Sequence, residues 1–241
     1  MKKFISALLT FAIAFFVFSL LFESQNLFPK YGEKDLNSTV SQRYVDKSVD
    51  ENRPYPETGS ANIVTSIVVN YRSFDTLGEI TVLFVSALGV SLLLNIGGER
   101  LKFRIEPNFI LRAGVRIITG IILIVGIYIF IHGHLTPGGG FPGGAMIASS
   151  ILLMYLSDDN FKEKMNTFNI LEGTSGILII VLGLIGLFVF NSFLYNFLPS
   201  GKIGEFFSAG LTPILYVLIG LKVGSELSNI IGDFLSEGEK A

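Results

Sequence analysis

Lys222 and Glu226 stand four residues apart in LTPILYVLIGLKVGSELSNII, an otherwise apolar run. A lysine at the centre of a membrane helix costs about 2.5–3.5 kcal/mol on insertion scales, so it needs a partner or water. The i, i+4 spacing puts Glu226 on the same helix face. The pair suits a proton or cation relay, or a buried ion pair that orients one helix on another. Asp75 and Glu79 in FDTLGEITVL repeat the spacing with two carboxylates. With the hydroxyl of Thr76 they offer oxygen donors that suit sodium or protons rather than softer metals. N-terminal capping explains Asp75 as well, but explains Glu79, inside an apolar run, less well. Glu172 in NILEGTSG and Glu205 in GKIGEFFSAG are expected at the starts of two further spans, as interfacial caps or as members of an ion path.

Both histidines lie in HGHLTPGGGFPGGAM, residues 132–146. On a helix the i, i+2 spacing of His132 and His134 points them apart, and no third ligand is evident, so a metal site is not expected. His134 is the candidate proton relay of the two. Gly138, Gly140 and Gly143 satisfy G-x-G-x-x-G, but a dinucleotide loop needs a strand before it and a helix after it. Here apolar helical sequence lies on both sides. The following apolar run, residues 145–156, is only 12 residues, about 18 Å of helix, against a hydrocarbon core of about 30 Å. Pro137, Gly138, Gly139, Gly140, Gly143 and Gly144 are therefore expected to form a close-packing break at membrane depth. Such backbone is tolerated only where protein or water surrounds it. It is expected to be buried against other subunits.

The elements that must hold these residues are membrane helices. Of 241 residues, 50% are hydrophobic and 16% charged, with a mean hydropathy of +0.58. The fold class is all-α integral membrane, with about six spans: residues 4–22, 77–96, 110–135, the short run 145–156, 169–198 and 206–234. The first, with Lys2 and Lys3 before it, is too long for a signal-peptide core and is read as a retained helix. Residues 23–60 read as an extramembrane loop. ANIVTSIVVNY, residues 61–71, reads as a short amphipathic helix lying at the surface or dipping into the membrane, with Ile63, Val64, Ile67, Val68 and Tyr71 on its apolar face. Pro213 is expected to kink the last span. The basic connector GGERLKFRIEPN separates a segment 1–98 from a four-helix segment 109–241.

The chain has no cysteine, which excludes thiolate zinc, iron–sulfur clusters and disulfides, and no cofactor is expected in it. Its net charge of −2 gives no reason to expect nucleic acid. Basic residues in the short loops favour cytoplasmic N- and C-termini in the cell membrane, with the glycine stretch outward.

HLTPGGGFPGGAMIASSILLMYL, with LEGTSG and FFSAGLTPILYVLIGLKVGSEL downstream, resembles the MnhB/MrpB subunit of multisubunit sodium/proton antiporters. Pro142 departs from the polar residue common at that place. NIVTSIVVNYRSFDTLGEITVL resembles the C-terminal segment of the large antiporter subunit MrpA. It is similar also to the small MbhE-type subunit of membrane-bound hydrogenases and sulfane reductases. The combined resemblance implies a non-catalytic membrane subunit, packed among MrpA-, MrpC- and MrpD-like partners in the bilayer and helping to form a Na+ or H+ path. It points to a ferredoxin-linked respiratory complex, with a free-standing Mrp antiporter or a scaffold without an ion path as alternatives. Carried over by motif, the path residues are Asp75, Glu79, Glu172, Glu205 and Lys222.

Overall fold

The computed structural model describes residues 2–23, 39–49, 57–96, 108–157 and 165–236. Most of the 23–60 loop, the 97–107 connector and the acidic–basic turn at 158–164 lie outside the described residues. The chain divides into two units, Met1–Arg43 and Tyr44–Ala241. The first contains α1 (Lys2–Glu23), whose described side chains are exposed along its apolar stretch Ala7–Phe22. α2 (Val40–Val49) runs across the boundary.

The second unit holds five helices long and apolar enough to cross a membrane: α4 (Ser73–Ile96), α5 (Phe109–Ile131), α6 (Gly140–Ser157), α7 (Met165–Phe190) and α8 (Thr212–Ser236). The chain is an all-helical, multi-pass membrane protein. α8 is the hub, with α4, α6 and α7 packed on it and α5 packed on α6. Some 61% of its span is buried, against 11% for α4. Leu211, Leu215, Leu218, Ile219 and Val223, in and just before α8, centre the apolar core, with Val69, Ile80, Ile179 and Leu194 around them.

Glycine makes this hub possible. A Cβ on Gly144 would sit 2.8 Å from the Gly220 carbonyl oxygen and 2.9 Å from the Gly224 nitrogen, and one on Gly143 would sit 2.8 Å from the Gly126 carbonyl oxygen. Small residues four apart let helix backbones approach closely where lipid supplies no hydrophobic drive. Gly139, Gly140, Gly143 and Gly144 are thus buried within their own chain, while Pro137 and Pro142 of the same stretch are exposed. α6 also starts at Gly140, five residues before the apolar run, so 18 residues form one helix. Pro142 falls in its first turn, where the missing N–H breaks no helical bond. Gly139, at φ 141, makes the turn into it.

Three other expectations are corrected. α7 ends at Phe190 and α8 begins at Thr212, so the apolar stretch between them is loop. Asn196 staples that loop, donating from Nδ2 to the Ala209 carbonyl (3.2 Å) and accepting from the Leu211 N–H (2.7 Å). Pro213 is the second residue of α8 and produces no kink, since that position has no intrahelical bond to lose. The 61–71 segment is not a surface amphipathic helix. It forms a short turn of α-helix, α3 (Ile63–Thr65), and a π-helical stretch, Ser66–Tyr71, closed by the Arg72 N–H on the Ile67 carbonyl. Its polar side faces in: Thr65 and Ser66 are buried while Val64 is exposed.

Candidate functional site: a buried ion pair between three helices

The third turn of α8 places Lys222 at the centre of the bundle. Its Nζ lies 3.3 Å from Glu226 Oε2, and both side chains are buried, the carboxylate 1% exposed. The approach is an ion pair without hydrogen-bond alignment, so neither Glu226 oxygen receives a hydrogen bond. The Lys222 stem runs past Gly176 of α7, where an added Cβ would sit 3.7 Å from Lys222 Cδ. The ammonium lies 4.8 Å from the Phe84 ring centroid of α4, where the ring's negative face attracts it. Three helices thus hold one cation.

Glu172 joins this group. It does not begin α7 but is its eighth residue, so it caps nothing. Its Oε2 accepts a 2.7 Å hydrogen bond from Asn229 Nδ2 of α8, one turn beyond Glu226. Asn229 Oδ1 is buried without a hydrogen bond. Farther along the same face, Asp233 accepts a hydrogen bond from Ser91 of α4 (2.5 Å). Positions 222, 226, 229 and 233 follow the 4-3-4 spacing of one helix face. Asn229 and Asp233 were not singled out from the sequence, although that spacing was there to be read. Toward the other end the face continues as Leu218, Leu215 and Leu211, all core.

The remaining candidates are elsewhere. Asp75, in the first turn of α4, pairs with Arg72 at i, i+3. Thr76 is buried and donates to the Val68 carbonyl (2.8 Å), sealing the π-helical stretch. Glu79 is exposed on α4. Glu205 is exposed in a turn seven residues before α8 and so begins no span.

His132 and His134 are not on a helix face: α5 ends at Ile131, and both lie in the turn that follows. The His132 ring stacks on Tyr128 (centroids 4.3 Å apart). His134 is fully buried. Its Nε2 is 3.0 Å from the Phe206 carbonyl, so it carries the proton, and Nδ1 has no partner of good geometry. Burial lowers its pKa from the ordinary 6.5, against the opposing effect of the Phe206 carbonyl.

Around His134 the polar side of the 58–66 segment satisfies the turn's carbonyls. Ser60 Oγ and the Asn62 N–H donate to the His134 carbonyl (2.8 and 3.1 Å). Asn62 Nδ2 donates to the carbonyls of Gly133 (2.9 Å) and Thr136 (3.0 Å). Thr65 Oγ1 donates to the Gly133 carbonyl (2.7 Å) and meets Tyr216 Oη of α8 at 2.9 Å. These bonds tie the N-terminal segment to the glycine turn.

Comparison with known proteins matches the same two parts. Residues 110–229 fit the domain related to the MnhB subunit of Na+/H+ antiporters, and residues 33–103 fit the MbhE family of MBH subunits. An uncharacterized protein of Methanocaldococcus jannaschii is 32% identical over 202 residues, 69% of this chain and 74% of its own length. A chain of the membrane-bound sulfane sulfur reductase, an archaeal respiratory membrane complex, superposes with a TM-score of 0.76 at 40% identity, over 98% of this chain and 99% of that one. A chain of the Mrp complex from a Dietzia species superposes with a TM-score of 0.70 at 26% identity, over 95% of this chain but 26% of the longer one. These matches show that the chain belongs to the MnhB-related family through residues 110–229 and carries an MbhE-family segment over residues 33–103.

Proposed function

We propose that the chain is a non-catalytic membrane subunit of a cation/proton-translocating module of Mrp antiporter type, coupled to a respiratory complex of the sulfane-reductase or hydrogenase kind. MrpA-, MrpC- and MrpD-like subunits are its partners in the cell membrane, both termini face the cytoplasm, and the chain holds no cofactor of its own. The observation that carries an ion role is the Lys222–Glu226–Glu172 group. Lys222 and Glu226 are buried and Glu172, tied to α8 through Asn229, is half-buried at their side. One ammonium and two carboxylates sum to −1 when all are ionised, and a membrane interior disfavours such an excess, so the half-buried carboxylate is the place where a proton or a small cation joins the buried pair. Lys222, Glu226 and Glu172 form the core of the path through this chain, while Asp75, Thr76, Glu79, Glu205 and His134 lie outside that core. The 26% likeness to the Mrp chain supports the second reading, a subunit of a free-standing antiporter with the same path.

A double substitution tests the ion role. Replacing both members of a buried pair by apolar residues is often neutral for stability, whereas removing one leaves an uncompensated charge and costs about 3–5 kcal/mol. The assembled complex carrying Lys222→Met with Glu226→Leu is expected to form normally and to lose sodium-dependent proton movement in inverted membrane vesicles. Transport at the native rate by that complex would refute the path and leave the pair a packing device.

A further inference from the structure

α4 divides into three sectors about 120° apart at about 100° per residue. Thr76, Ile80 and Ala87 are buried and face the bundle. Val85, Leu88 and Leu92 form a second, exposed sector without charge that suits lipid, its one hydroxyl, on Thr81, bonded to the Leu77 carbonyl (2.8 Å). The third sector is different. Asp75, Gly78, Glu79, Val82 and Ser86 are all exposed. Asp75 has its charge matched by Arg72, but Glu79 has no ion pair among the described residues. Glu79 lies six residues into the span that starts at Ser73, about 9 Å along the helix.

An ionised carboxylate at that depth is not left facing acyl chains. Gly78 has open space around it, with nothing within 4 Å of an added Cβ. The Ser86 hydroxyl is folded back on the Val82 carbonyl (2.8 Å), which leaves a low profile beside the carboxylate. Small residues flanking a polar one are how membrane helices admit a close neighbour. A second copy of this chain packed symmetrically there would set Glu79 against Glu79, so like charges oppose that occupant.

We propose that this sector of α4 docks a transmembrane helix of a different subunit, one carrying a lysine or arginine level with Glu79. The contact concerns assembly and stands independently of the ion path through Lys222. Charge complementarity picks the partner, and Gly78 and Ser86 let its backbone come close.

The test is site-specific photo-cross-linking in the intact complex. A benzoylphenylalanine replaces Val82, with Ser86 as the alternative position and Leu88 as the lipid-facing control. The attached peptide is then sequenced by mass spectrometry. The expected result is a membrane helix of another subunit with a lysine or arginine within about one turn of the attachment point, and no protein adduct at Leu88. Glu79→Gln is expected to weaken recovery of that subunit on native gels and Glu79→Lys to abolish it. Attachment to lipid, to α1 of the same chain, to a second copy or to a helix without a basic residue would overturn the proposal. So would full recovery of the subunit with Glu79→Lys.

Discussion

Gly144→Ala and Gly173→Ala make the same chemical change in two membrane helices, and the structure gives them opposite signs. At Gly173 nothing lies within 4 Å of the added methyl. Only the better helix propensity of alanine remains, about 0.8–1.0 kcal/mol in favour. At Gly144 the methyl would lie 2.8 Å from the Gly220 carbonyl oxygen, 2.9 Å from the Gly224 nitrogen and 2.9 Å from Val223 Cβ. Two of these are backbone atoms of α8, so no side chain can swing aside, and the helices must part by about half an ångström. Overpacking of this kind costs about 1–3 kcal/mol, and separation also loosens the hub on which α4 and α7 pack. The propensity gain is common to both variants and cancels, so they are expected to differ by the overpacking cost, about 1–3 kcal/mol, roughly 5- to 140-fold in the unfolding constant. The assay is reversible unfolding of the purified protein in bicelles titrated with dodecyl sulfate. Gly144→Ala proving as stable as Gly173→Ala would refute the close helix crossing.

Two further predictions concern the polar seam at the glycine turn. Asn62→Ala removes the α3 cap bonds to the Val64 and Thr65 N–H groups and both Nδ2 bonds to the turn. The Gly133 carbonyl keeps its bond from Thr65 Oγ1, but the Thr136 carbonyl is left bare, which costs about 1–3 kcal/mol. The same unfolding titration should therefore show a loss well above the ~1 kcal/mol of a cap alone. For His134 the folded pKa lies below the unfolded value because burial disfavours the imidazolium. Its contribution is therefore complete above about pH 6.5 and declines as pH falls below that. Protection factors at residues 60–66 and 132–136, that is exchange corrected for its intrinsic pH dependence, should fall between pH 7.5 and 5.5, and His134→Asn should flatten that dependence. The neighbouring His132 ring, which also acts on His134, is kept in both proteins.

The existence of the long helices was legible because each is a long apolar run, and a bilayer permits little else. Their ends were not. Glycine and proline read as breakers in a soluble chain, yet Gly140, Gly143 and Gly144 belong to α6 because close packing on α5 and α8 is what holds that helix. The apolar stretch after Phe190 reads as helix, yet it turns through Leu194 at φ 57 and Ala209 at φ 63. Asn196, distant in sequence from the carbonyl it serves, makes that loop tolerable. The 61–71 segment is buried on two sides, Val69 in the apolar core and Thr65 and Ser66 among polar partners, for a related reason. An amphipathic pattern tells which side is polar, but the polar side turns inward when the neighbour is a turn of unsatisfied carbonyls.

The candidate site shows the same limit more sharply. Asp75–Glu79 and Lys222–Glu226 have identical spacing in similarly apolar helices, and a helical wheel treats them alike. What separates them is which face acquires a neighbour. α8 carries Gly220 and Gly224 on the side that meets α5 and α6, so those helices close in, while Gly176 of α7 makes room for the Lys222 stem. The opposite, charged face of α8 is covered by α7 and α4, with Lys222 beside Gly176 and the Phe84 ring, so its charges meet each other inside the chain. α4 touches the bundle along one side only, so the charge on its outer sector is left for another molecule to match. In a bilayer, where apolar surface needs no covering, it is the charges left outside that point to the missing partner.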